Sequence, residues 1–136
     1  MRALWVDTNV LLRFLTADPP DLAEQALALI RKAESGEIVL RVSAIVAAEM
    51  VWVLTSFYKT PKSEIAEQLS VLFSAPGIAV EERDTILAAL AVMAEKNVDF
   101  ADALLAEIAR AHHEPVVTFD DDFDRIAVER AHPSTA

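Results

Sequence analysis

Short apolar runs alternate with longer stretches of helical period along this whole chain. Leu4-Trp5-Val6, Glu37 to Val42, Ile78-Ala79-Val80 and Pro115 to Thr118 read as strands, the first of them as a short buried one. Between them the segments beginning at Val10, Leu22, Ala44, Ile65, Arg83 and Asp99 carry apolar residues at helical spacing. The punctuation agrees. Pro19-Pro20 suits a first helical turn, Gly36 a helix C-terminus, Ser43 an N-cap, and Thr60-Pro61 a break before a new helix. Pro76-Gly77 marks a turn, and Asp120 to Val128 is expected to form a last helix. Strands joined through helices pair in parallel, and a parallel sheet is covered on both faces. The expected fold is α/β: a three-layer α/β/α sandwich, in a single domain over residues 1–136, with a mostly parallel central sheet of four or five short strands.

On that frame four acids stand out: Asp7, Glu49, Asp102 and Asp120. Asp7 and Asp120 each follow an apolar run, and Asp102 opens a helical stretch. In an α/β chain, residues at the carboxyl ends of the strands face one crevice. Carboxylates gathered there repel one another unless a hard cation neutralises them. That requirement points to Mg²⁺ or Mn²⁺ and to phosphoryl chemistry. Each acid also has a plainer reading. Asp7 and Asp99 are good N-caps, and Asp102 would then be the third helical residue, favoured by the helix dipole. Glu49 is the only charge between Ala44 and Leu54, so it is expected to be buried. Burying an ionised glutamate costs several kcal/mol unless it is compensated. The compensation would be a site role or an ion pair with Arg13 or Arg41. Thr118 is placed to hold the carboxylate that follows it. The run from Asp120 to Asp124 fails as a calcium loop, because its sixth and twelfth positions are Arg125 and Ala131.

Composition narrows the chemistry. There is no cysteine, which removes disulfides, thiolate metal sites and cysteine nucleophiles and fits a cytoplasmic protein. Two glycines are too few for a phosphate-binding loop or a dinucleotide fingerprint. Charges interrupt every apolar run before membrane length, and MRALWVDTN passes straight into a strand pattern, so neither a span nor a signal peptide is expected. The net charge of −10 argues against a nucleic-acid partner held mainly through its phosphates.

The ordered set VDTNVLLR at 6–13, Glu49 in its apolar helix, DFADALLA at 99–106 and TFDDDF at 118–123 resembles the PIN domain, and within it the VapC-type toxins. The resemblance covers essentially the whole chain. It implies a PIN-like fold and a ribonuclease that uses one or two Mg²⁺ or Mn²⁺ ions. Cleavage would leave 5′-phosphate and 3′-hydroxyl ends. It implies Asp7, Glu49, Asp102 and Asp120 as the catalytic and metal-binding acids, with Asp99 assisting as a further ligand. Asn9, Thr118 and Asp122 would support them. RNA as substrate, a VapB-like antitoxin as partner and a homodimer follow from the same resemblance. Arg13, Arg41, Lys59, Lys62 and Arg110 are the cations available to line the cleft, and Trp52, by its position, reads as core. A catalytically inactive PIN-like module is the competing reading. A receiver domain would need adjacent early acids, and a haloacid-dehalogenase-like phosphatase would need D-x-D-x-T after the first strand; neither pattern is present.

Overall fold

The computed structural model describes all 136 residues. Strand β1 (Arg2–Trp5) leads into helix α1 (Thr8–Thr16), and α2 (Pro20–Glu34) returns the chain to β2 (Ile38–Val42). Helices α3 (Ala44–Ser56) and α4 (Lys62–Phe73) precede β3 (Ile78–Val80). Then come α5 (Arg83–Lys96), α6 (Phe100–Ala111), β4 (Val116–Val117), a 3₁₀ helix (Asp121–Ile126) and β5 (Arg130–Ala131).

Local chemistry sets these boundaries. Pro20 occupies the first turn of α2, where a missing N–H costs nothing, and Arg31 and Lys32 meet its negative end. The Ser43 side chain accepts a hydrogen bond from Val46 N at 3.1 Å and starts α3. Glu81, just past β3, accepts from Ala44 N at 2.9 Å and satisfies another donor of the same helix end. The segment after Asp120 forms a 3₁₀ helix and not the expected α-helix. Aspartates are poor in helix interiors because their side chains bond nearby backbone. Here Asp120 Oδ1 accepts from Asp122 N at 2.8 Å, which tightens the turn.

Every strand pairing is parallel, as the alternation requires. The strands are divided between two ladders: β1-β2-β3 with β2 central, and β4-β5. The β4 strand spends its ladder donors on β5, since Val116 N bonds Glu129 O at 2.8 Å and Thr118 N bonds Ala131 O at 3.1 Å. Both ladders serve one core. A single cluster of 27 buried residues includes Leu40 and Val42 from the first ladder, Val116 from the second, and Phe123 and Ile126 from the 3₁₀ helix.

The core has one good side. Along β1, Val6 at its end is buried while Trp5 is 65% exposed, so the expectation of a wholly buried first strand is corrected. Helix α3 behaves in the same way. Ala47, Met50, Val51 and Leu54 are buried, but Ile45 and Trp52 are 71% and 69% exposed. Trp52 is therefore not a core residue.

Candidate active site

Asp7 lies between β1 and α1 with φ −82° and ψ 151°, an extended conformation at the N-cap position. Its side chain makes no capping bond. The plainer explanation of Asp7 thus accounts for its place in the chain but leaves its carboxylate unused. The next residue, Thr8, is the one buried polar side chain of the protein, at 6% exposure. Its hydroxyl donates to Glu49 Oε2 at 2.9 Å. This bond ties the first turn of α1 to the middle of α3.

Glu49 is exposed, which corrects the expectation that α3 would bury it. It lies on the same outer face as Ile45 and Trp52, and it forms no ion pair with Arg13 or Arg41. Burial is therefore not what marks this residue; its partner Thr8 is. Glu49 and Asp99 line one cleft of about 610 Å³, whose apolar wall includes Trp52 and Phe100.

Asp99 is the N-cap residue of α6, and again its side chain makes no capping bond. It faces Lys62 Nζ at 3.9 Å, and the same ammonium donates to Asn97 Oδ1 at 3.2 Å. Lys62 opens α4, where the helix dipole disfavours a cation. A lysine at that position is a legible sign of an acidic partner elsewhere.

Asp102, one turn into α6, is partly buried. Its carboxyl is pushed above the ordinary aspartate value, first by burial and then by the negative charges of Asp99, Asp120 and Asp122. Those four acids therefore share one electrostatic neighbourhood. Asp120 N donates to Thr118 Oγ1 at 2.9 Å, so Thr118 fixes the backbone beside the acid and not, as expected, the carboxylate itself. Asp122 belongs to the group through its backbone bond to Asp120 and its effect on Asp102. Asn9 lines a cleft with Arg13 and Gln25 between α1 and α2.

Arginines that the sequence suggested as RNA contacts are partly spoken for. Arg110 pairs with Glu107 at 3.0 Å and donates to Ile126 O at 3.0 Å. Arg130, not singled out from the sequence, pairs with Asp121 at 3.2 Å and with Asp124 at 3.0 Å. It ties β5 to the 3₁₀ segment through these two aspartates. Arg130→Gln is expected to cost little stability, because exposed pairs contribute little. The loosened 3₁₀ turn should nonetheless exchange its amide protons faster than the rest of the chain. Hydrogen exchange resolved by segment checks this, and unchanged protection over residues 120–126 would remove the bracing role.

The donor set is all carboxylate and hydroxyl oxygen, the chemistry a hard cation takes. No three acids are drawn close enough to wrap an ion by themselves. Mg²⁺, which keeps several of its waters and is held by one or two carboxylates, asks for fewer protein ligands than that. A second cleft of about 620 Å³ lies apart from the acids, between α1, α2 and α4.

The chain is thus an α/β domain of the class whose ligands bind beyond the carboxyl ends of parallel strands. Within that class the chain belongs to the PIN domain family, whose model matches residues 4–129. PIN domains are nuclease-type folds that act on nucleic acid. The comparison with curated proteins gave no match. No helix is long and apolar enough to cross a membrane.

Proposed function

We propose that this PIN domain is a Mg²⁺- or Mn²⁺-dependent endoribonuclease and the toxin of a VapBC-type pair. The observation that carries the reading is the negative field that Asp99, Asp120 and Asp122 together place on the partly buried Asp102, with no arginine or lysine paired to Asp102 itself. Such a group is at odds with its own charge until a cation or a proton arrives. Asp7, Glu49, Asp99, Asp102 and Asp120 are the residues that would hold the ion. A bound divalent ion would supply charge neutralisation at the scissile phosphate and a water acidic enough to attack at neutral pH. Thr8 keeps Glu49 turned toward the end of β1. Lys62 steadies Asp99, and Asp120 is fixed by the bonds at Thr118 and Asp122. Hydrolysis by this arrangement leaves 5′-phosphate and 3′-hydroxyl ends.

Two surfaces fit the partners of such a toxin. The cleft between α1, α2 and α4 has an apolar floor of Phe14, Leu15, Ile30 and Leu72 and an acidic rim of Glu34, Glu64 and Glu67. That combination suits an amphipathic antitoxin helix with basic flanks. The exposed Ile45, Trp52 and Phe57 of the α3 region suit a homodimer contact.

The open spacing of the acids is what an inactive PIN-like module would also present. Cleavage decides between the two. Purified chain free of any antitoxin should cut RNA in Mg²⁺ or Mn²⁺, stop in EDTA, and lose activity in Asp7→Asn. Equal cutting by wild type and variant, or indifference to EDTA, removes the metal-nuclease reading.

A further inference from the structure

Binding RNA is a problem for a chain of net charge −10, because phosphate contacts supply most of the affinity of ordinary nucleic-acid binders. The sheet offers a different kind of contact beside the acids. Trp5 closes β1 and is 65% exposed. Its partner in the parallel register is Arg41 of β2, also exposed. Side chains on neighbouring strands in register stand side by side on one face of a sheet. Arg41 takes part in none of the ion pairs of the chain.

The geometry continues toward the crevice. Alternation along β1 puts Leu4 and Val6 on the covered side, and Trp5 on the open one. Asp7 keeps an extended backbone and is exposed, two residues beyond Trp5 at the same end of β1. Two strand residues span about 6.6 Å. An aromatic plane, an unpaired guanidinium and an acid of the site thus follow one another at the end of one sheet. Elsewhere the pattern fails. Trp52 is as exposed as Trp5, but no lysine or arginine lines its cleft. The cleft between α1, α2 and α4 is rimmed by glutamates.

We infer that this face holds single-stranded RNA at the site, with an unpaired base stacked on Trp5 and its phosphate against Arg41. Stacking is indifferent to net charge and available only to bases outside a duplex. The inference rests on the nuclease reading above for its substrate, and it adds the residues that hold a single strand and the way they hold it. It also sets the salt dependence. Each phosphate contact to a single strand contributes a slope of about −0.7 in log affinity against log salt. A strand held through Trp5 and the single phosphate contact of Arg41 should therefore show a slope of about −0.7, far shallower than a basic binder.

The test uses the two tryptophans of the chain separately. In Trp52→Phe, only Trp5 reports. Titration with a short single-stranded oligoribonucleotide in EDTA, where no cleavage occurs, should quench Trp5 emission, and the same sequence as a duplex should not. Trp5→Ala should weaken binding at least fivefold and raise KM with little change in kcat, while Trp5→Phe should retain most of both. Arg41→Ala should flatten the salt slope by about 0.7. An unquenched Trp5, equal response to duplex, or a response only from Trp52 in Trp5→Phe overturns the inference. So does a Trp5 emission that shifts with protein concentration alone, which would mean that a second copy covers this face. Quenching without any cleavage leaves the docking face standing and removes the nuclease reading. Cleavage with an unchanged KM in Trp5→Ala does the reverse.

Discussion

Asp102→Asn is expected to abolish cleavage by a factor on the order of 10²–10³ and, in metal-free buffer, to melt above the wild type. The loss is the usual size for removing one preorganised electrostatic group from a reacting centre. The gain in stability follows from the direction of the pKa shift. The Asp102 carboxyl is raised by burial and by Asp99, Asp120 and Asp122. The folded chain therefore binds that proton more tightly than the unfolded chain does. Between the unfolded value and the raised one, stability falls as pH rises, because the folded state is giving up the proton it favours. At neutral pH the ionised side chain is a cost, and an amide of nearly the same shape removes it. A divalent ion reverses the order. At a hundred times its Kd it would stabilise the wild type by about 2.7 kcal/mol, and the variant by much less. Melting curves of both proteins with and without Mg²⁺ check all of this. A variant that melts below wild type in EDTA would show that Asp102 is not under electrostatic strain.

The fold was legible where local chemistry and periodicity coincide. Ser43 caps α3, Pro20 opens α2, and Ile78 to Val80 form β3, each as the residues imply. Two features were not legible. The β5 strand is Arg130–Ala131 alone, too short for any alternation to register, and it is specified by bonds to β4. Exposure of apolar residues was the other. Periodicity tells which residues share a face but not whether anything covers it, and large apolar side chains on surfaces are common. Hence Trp5 and Trp52 were both misplaced.

At Glu49 the sequence pattern and the structure point to different surroundings. An acid alone among apolar residues suggests burial, and burial suggests a partner. The side chain is exposed, yet it has a specific partner in Thr8. Thr8 stands inside the VDTN motif as one more polar group at a strand end, and nothing in its spacing links it to an acid 41 residues away. A buried hydroxyl next to an exposed acid is the better signal, since a buried polar group must be bonded. The grouping of Asp99, Asp120 and Asp122 about Asp102 required the fold, because residues 99 and 120 are joined only through α6 and β4.

Gly77→Ala is expected to cost about 3–4 kcal/mol, the largest loss of stability from adding a single methyl group anywhere in the chain's turns. Gly77 has a φ of +77°. An L-residue in that left-handed region carries about 1–2 kcal/mol of strain. A Cβ at this position would also run into the backbone carbonyl of Ala33, near the end of α2. Backbone gives way less readily than a side chain, and forcing a methyl into a packed contact adds about 1–3 kcal/mol. Ala33 is itself buried at 1% exposure, so α2 has no room to retreat. Gly77 O accepts from Leu40 N at 2.8 Å, and any shift of the turn disturbs the ladder that seats β2 beside β3. Gly36 supplies the control. Its φ is +86°, but nothing lies within 4 Å of the position its Cβ would take. Gly36→Ala should therefore carry only the conformational strain, about 1–2 kcal/mol. Thermal melts should place Gly77→Ala roughly 10 °C or more below wild type and Gly36→Ala only a few degrees below. If the two variants melt together, the contact between the Pro76-Gly77 turn and α2 is not what fixes the edge of the sheet.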